Sequence, residues 1–376
     1  MKSLSLLIKP ASSNCNMCCV YCFYTDIASA RAGGSHDVMS LNTLEKVVSS
    51  ALEEAELRCS FAFQGGEPLL AGPDFFRAFI KFVKKHNKRG VRTQYSIQTN
   101  GTLLDSEWAA FLSDNKFLVG LSIDGERSVH DSFRKDLPGK GTHSRCLAAA
   151  RLLEKHNADF NILSVVTKQL ASHPDKAWNF YMKHGFQYIQ FIPCIESFDR
   201  DRGGRFYSLS AKLYGHFLCR VFDLWYDNFR RGVCTSVRAF DNYIHILMGN
   251  PPENCAMAGI CNAYALVEAD GSVYPCDFYA LDHYLLGSVH TSGFEAMLTG
   301  EAARRFVQPS SQVDAGCAIC AFFRICRGGC RRDREVFQSK ELSRNIYCES
   351  FKMFFAHALP RMKQIACSIS GKYSNL

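Results

Sequence analysis

Short apolar runs alternate with longer amphipathic stretches through the first 233 residues and then stop, which predicts an α/β fold in two parts. The first part reads as a partial (β/α)6 barrel spanning residues 1–233, and the second, 234–376, as a cysteine-rich C-terminal domain holding a β-hairpin. A third observation separates the two: of 18 cysteines in 376 residues, those at metal-ligand spacing fall in one early cluster and one late series.

The strands are expected at residues 4–9, 60–64, 93–99, 118–122, 160–166 and 188–193, each apolar enough to be buried on both faces. Helical spacing fills 43–56, 73–87, 106–115, 144–156, 174–184 and 210–230, and several of these stretches open with Ser, Thr or Pro. Six units fall short of the eight that close a barrel, so the working face should be the carboxyl ends of the strands. In the second part, Asp270-Gly271 between two β-type runs predicts a hairpin over 266–276.

Composition narrows the function classes. With 47% hydrophobic and 21% charged residues the chain is globular, and its net charge of +8 is scattered rather than clustered, so no nucleic-acid role follows. The apolar run at residues 4–8 ends at Lys9-Pro10, too short for a signal core or a membrane span, which predicts a cytoplasmic protein without membrane attachment. Where thiols stay reduced, so many cysteines point to metal ligation or redox chemistry rather than disulfides.

Cys15, Cys19 and Cys22 follow the first strand directly, so a loop at the sheet edge carries three thiolates. A four-iron cluster usually takes four cysteines, and three leave one iron open to a ligand; a structural zinc site is the alternative that spacing leaves open. The second strand ends in Gly65-Gly66-Glu67, where two glycines admit a close neighbour and a carboxylate can meet an ammonium group. The fourth ends in Ser122-Ile123-Asp124, with Arg134 in the next loop, a hydroxyl, a carboxylate and a guanidinium that also suit an ordinary turn.

Taken together, Cys15, Cys19, Tyr21 and Cys22 resemble the C-x-x-x-C-x-aromatic-C loop of the radical S-adenosylmethionine (SAM) superfamily. That resemblance implies a [4Fe-4S] cluster on the three cysteines. It also implies that Gly65, Gly66 and Glu67 receive the SAM amino group, with Ser122, Asp124 and Arg134 toward the ribose and carboxylate.

Downstream, Cys261, Gly271, Cys276, Cys317, Cys320, Cys326, Cys330 and Cys348 resemble the SPASM extension of that superfamily, and Cys255 supplies an eighth thiolate. The resemblance implies two auxiliary [4Fe-4S] clusters, one on Cys255, Cys261, Cys276 and Cys330, the other on Cys317, Cys320, Cys326 and Cys348. Two zinc sites are the reading that spacing alone leaves standing. Cys18, Cys59, Cys146, Cys194, Cys219, Cys234 and Cys367 remain, most of them expected as core thiols.

Residues 60–72 (SFAFQGGEPLLAG), 98–104 (QTNGTLL), 118–125 (LVGLSIDG) and 274–279 (YPCDFY) resemble anaerobic sulfatase-maturating enzymes, and the likeness runs almost end to end. It implies oxidation of a cysteine or serine in a sulfatase, within a Cys/Ser-x-Pro/Ala-x-Arg segment, to Cα-formylglycine. The 5′-deoxyadenosyl radical from cleaved SAM would take the Cβ hydrogen, Asp277 would act as base, and a reduced flavodoxin or ferredoxin is the expected electron donor. Gln64, Gln98, Asn100 and Gln190, at or near strand ends, are candidates to line the peptide's path. A peptide-crosslinking SPASM enzyme is the nearest rival; such enzymes usually carry a peptide-binding domain ahead of the first strand, which here begins at about Leu4. A non-catalytic iron-sulfur or zinc protein would leave Cys15, Cys19 and Cys22 unexplained.

Overall fold

A computed structural model describes residues 1–196, 202–335 and 342–370. The chain forms two compact units: residues 1–123, 130–161 and 263–306 in the first, and 124–129, 162–262 and 307–376 in the second.

In the first unit the strands β1 (Ser3–Ile8), β2 (Arg58–Phe63), β3 (Arg92–Thr99) and β4 (Phe117–Ser122) run parallel in that order. Helices lie between them because local signals start them where periodicity demands. The Ser40 hydroxyl accepts the Thr43 N–H at 3.0 Å to cap the helix Leu41–Glu54. Pro73 occupies the first turn of Pro73–His86, and Asp105 caps Ser106–Asp114 by accepting the Trp108 N–H at 2.9 Å. Against the sheet these helices bury a cluster of rings. Phe63 meets Phe79 edge-on at 4.8 Å and Phe76 at 5.0 Å between centroids, a geometry worth about 1 kcal/mol per pair beyond the area buried.

The strands β2 and β3 are less enclosed than their composition predicts. Ser60, Ala62, Ser96 and Gln98 are half-buried and Gln94 is exposed, while Phe61, Phe63 and Ile97 opposite them are buried. In register, Ser60 stands beside Gln94 and Ala62 beside Ser96, so one face of this sheet is small and polar.

The strands β5 (Phe160–Val166), β6 (Tyr188–Pro193) and β7 (Ser236–Val237) pair in parallel, β5 lying almost wholly in the second unit. The two-residue β7 was not anticipated, since so short a run has no periodicity. In that unit the long helices Ala211–Arg230 and Cys348–Ser370 and the helix Arg238–Leu247 share an aromatic core in which Phe222 meets Phe240 at 5.3 Å and Phe354 at 5.9 Å.

The expected hairpin is present as β8 (Ala265–Val267) and β9 (Ser272–Tyr274), antiparallel around Gly271 at φ 88°. A short β10 (Gly287–Ser288) pairs with β9. Its placement differs from a hairpin internal to a separate C-terminal region, because β8 pairs in parallel with β1, Leu6 opposite Ala265 and Ile8 opposite Val267. That pairing draws residues 263–306 into the first unit. Among the described residues no helix is long and apolar enough to cross a membrane.

Candidate active site and cluster ligands

The loop after β1 is built on the glycines after β2. Gly66 N–H donates to the Ser12 carbonyl at 2.9 Å and Glu67 N–H to the Asn14 carbonyl at 2.8 Å. A Cβ on Gly66 would lie 2.0 Å from the Asn14 oxygen, and one on Gly65, at φ 126°, would lie 2.6 Å from the Ser12 oxygen. The close neighbour these glycines admit is therefore the backbone that leads into Cys15.

Glu67 is fully buried, and its carboxylate accepts from Leu69 N–H, the Thr99 hydroxyl and Asn100 N–H at 3.1, 2.8 and 2.8 Å. Burial outweighs these donors and pushes it up to about 7. Glu67 thus fastens the loop after β2 to the end of β3. Asn100 in turn donates to Asn16 Oδ1 at 2.9 Å and points the same amide at Cys15 Sγ, 3.8 Å away. Burial, with the charges of Glu67 and Cys22, pushes the Cys15 thiol up to about 11 against the pull of the Met17 backbone and the Asn100 amide, so deprotonation calls for a bound metal.

Asp277 follows β9 in the short helix Asp277–Tyr279 and is buried. Its Oδ1 accepts from the Tyr264 hydroxyl at 2.5 Å and its Oδ2 from the Tyr24 hydroxyl at 3.3 Å. Gln64 Nε2 donates to the same Tyr24 oxygen. Burial and the Asp277 charge hold both phenols well above their ordinary range, so they remain donors. Sequence reading put Asp277 here through its place beside Cys276 but missed Tyr24 and Tyr264, whose only signal was tyrosine next to ligand cysteines.

A buried ionic group adjoins them. Glu268, at the end of β8, accepts from Lys9 Nζ at 2.5 Å, Arg31 Nη1 at 2.5 Å and the Ser12 hydroxyl at 2.8 Å. Lys9 is 1% and Glu268 0% exposed. Burial raises the Glu268 carboxyl, but Lys9 and Arg31 outweigh it and hold it below its usual value; burial lowers Lys9 against the pull of Glu268. Lys9 Nζ also lies 5.2 Å from the centroid of the Tyr24 ring. The group ties the start of the cysteine loop to the hairpin that carries Asp277.

Of the remaining predicted residues, Tyr21 is buried, with the Arg134 guanidinium 5.5 Å from its ring centroid. Ser122 is buried at the end of β4. Asp124, in the second unit, is buried and accepts the Val165 N–H at 2.9 Å. Asn100 also accepts from Thr102, and Gln190 accepts from Arg238 at 3.0 Å, so both are engaged within the protein. Gln98 makes no side-chain hydrogen bond among the described residues and stands half-buried on the polar face of β3.

All eleven predicted ligand cysteines are half-buried, within reach of a group that needs both enclosure and thiolates. Of the other seven, Cys59, Cys146 and Cys194 are buried and Cys18 and Cys234 exposed. In the second unit burial, with the charges of Cys348, Cys317 and Cys320 and against the pull of the Gly328 backbone, pushes Cys326 up to about 11, so these four thiols lie near enough to feel one another's charge. Ile319, between two of them, is 90% exposed. Among the described residues no three His, Cys, Asp or Glu close on a single-ion position; thiolates around a four-iron body stand farther apart than around one ion.

The class follows from two matches: the radical SAM superfamily model covers residues 10–170, and the SPASM iron-sulfur cluster-binding domain model covers 259–321. The chain is 44% identical to the cysteine-type anaerobic sulfatase-maturating enzyme of Clostridium novyi, over 98% of this chain and 99% of that enzyme. It is 31% identical to the serine-type enzyme of Bacteroides thetaiotaomicron over 96% of this chain and 91% of that one. The solved structure of native anSMEcpe with bound AdoMet and the Kp18Cys peptide superposes with a TM-score of 0.94 at 42% identity, covering 97% of this chain and 99% of that one. The chain belongs to the anaerobic sulfatase-maturating enzymes. Streptococcus suis SuiB, at 17% identity and TM-score 0.63, over 92% of this chain and 77% of SuiB, shares the fold.

Proposed function

We propose that this enzyme oxidises a cysteine in a sulfatase polypeptide, within a Cys-x-Pro/Ala-x-Arg segment, to Cα-formylglycine. The observation that carries the reading is the buried Asp277 held between two tyrosine hydroxyls beside Cys276, in the same compact unit as the Cys15–Cys22 loop. Identity of 43–44% to cysteine-type relatives, against 27–31% to serine-type ones, favours a cysteine target. The crosslinking alternative has only a shared fold in its favour.

A Cβ hydrogen atom, one further electron and the thiol proton must leave the substrate, and water then replaces sulfur, lost as hydrogen sulfide, at the resulting thioaldehyde. Cys15, Cys19 and Cys22 would hold the [4Fe-4S] cluster that, reduced and with SAM bound, would supply the carbon radical for that hydrogen. Asp277 receives the thiol proton. Tyr24 and Tyr264 keep its carboxylate aimed, while Lys9, Arg31 and Glu268 fix the hairpin that precedes it. Gly65, Gly66, Glu67, Tyr21, Ser122, Asp124 and Arg134 belong to the SAM site, and Gln98 and Gln64 to the peptide path. The eight downstream cysteines would hold two auxiliary clusters able to receive the second electron, and a reduced acidic flavodoxin or ferredoxin, suited to a chain of net charge +8 in the cytoplasm, would be the electron donor.

Anaerobic incubation with SAM, a reductant and a Cys-x-Pro-x-Arg peptide should yield the aldehyde peptide by mass spectrometry. Formation of 5′-deoxyadenosine without aldehyde would remove the sulfatase assignment and leave the radical chemistry standing.

A further inference from the structure

We propose that Arg334 is the buried counter-charge of the auxiliary cluster ligated by Cys261 and sets that cluster's reduction potential. The inference rests on reading Cys261 as a cluster ligand.

Arg334 is 4% exposed, yet its hydrogen bonds among the described residues go to neutral carbonyls alone: Nη1 to Gln312 O at 3.0 Å, Nη2 to Ser310 O at 2.8 Å and Gly259 O at 3.1 Å. Its Nε is buried without a partner. A buried cation so placed is costly unless a negative charge stands near it. The neighbouring Arg331 has one, Glu335 at 3.2 Å. Asp333, pushed up to about 6 by burial against the pull of Arg202 and Arg334, hydrogen-bonds neither guanidinium.

Asp333 shares its charge between Arg202 and Arg334, and geometry joins Arg334 to one further acidic group, the Cys261 thiol. Gly259, whose carbonyl Arg334 holds, lies two residues before Cys261, and Ser310, the other residue it holds, accepts the Cys261 backbone N–H on its hydroxyl at 2.8 Å. Arg334 thus braces the backbone around Cys261 with a permanent buried charge.

Reduction adds one negative charge to a cluster already anionic. Net charge and hydrogen bonding around the sulfurs are among the levers that set such potentials, and a fixed buried cation stabilises the reduced form. The electron comes from the substrate radical, which is oxidised as the cluster is reduced. Arg334 is in this sense a positioning and tuning residue; it touches no substrate.

The test is an EPR-monitored redox titration of the full-length, anaerobically reconstituted enzyme, with iron and sulfide measured on each variant. Arg334→Gln should lower the reduced-to-oxidised ratio at fixed potential at least tenfold, ~59 mV for one electron. Arg334→Lys, which keeps the charge and loses the clamp, should stay within about threefold of the parent. Glu335→Gln should shift the ratio the opposite way. A loaded Arg334→Gln enzyme with an unchanged ratio overturns the proposal, as does an Arg334→Lys shift equal to that of Arg334→Gln. Should Arg334→Gln lose its cluster, a Glu335→Gln enzyme with no upward shift overturns it. Cys261→Ala that retains all of the roughly twelve irons expected of three clusters would instead overturn the ligand reading itself.

Discussion

Asp277 owes its role to what surrounds it. Two phenols hold its buried carboxylate in one orientation. Asp277→Asn should reduce aldehyde formation about 10²- to 10⁴-fold while 5′-deoxyadenosine release persists, read by chromatography on the same reaction. Equal rates of aldehyde formation in both proteins would dismiss it as the base. Glu268 supports a different outcome. Replacing it with Ala strands Lys9 and Arg31 in the interior, and unfolding free energy should fall by about 3–5 kcal/mol in denaturant titrations. A third residue gives a pH signature. Glu67 stands near 7 when folded, so the folded state binds its proton more tightly than the unfolded chain does. Its contribution is complete below the ordinary value of 4.5 and is lost as pH rises through 7, about 3 kcal/mol over that window in SAM-free protein. Thermal melts from pH 5 to 7.5 should show this slope and Glu67→Gln should flatten it.

At the scale of elements, the loop after β1 is only as good as the glycines behind it. Gly66→Ala places a methyl group 2.0 Å from the Asn14 oxygen, so the loop must shift, and the variant should retain fewer than the parent's irons after desalting. An unchanged iron count would show that the loop tolerates the shift. The elements differ in how far the sequence revealed them. The strands β1–β6 were legible as short β-type runs between helical stretches, and their observed limits fall within two residues of the expected ones, though β3 is polar on one face. The hairpin was legible from Asp270-Gly271, but its pairing with β1 was not, since no local pattern names a distant partner. Lys9, Glu268 and Tyr24 were missed for the same reason: their importance lies in one another. The cysteine pattern was visible because its spacing is local to the chain itself.

Across the whole molecule, the match to cysteine-type relatives extends over nearly the full chain, so the two units share one ancestry of function rather than a borrowed module. Nothing in the sequence marks where the compact units divide, because the first unit reclaims residues 263–306 after a long excursion through the second. That return has a kinetic side. The contact that seats Asp277 requires Glu268 to find Lys9 across 259 residues of chain, and closing so wide a loop is repaid only after the intervening segments have condensed. The pairing of β8 with β1 is therefore expected late in folding, and pulse-labelled hydrogen exchange should protect Leu266 and Val267 after β2 and β3. During synthesis on the ribosome, the cysteine loop emerges early while the segment bearing Asp277 is still unmade, so under the proposed function the chain would acquire its means of starting a radical before its means of finishing the oxidation.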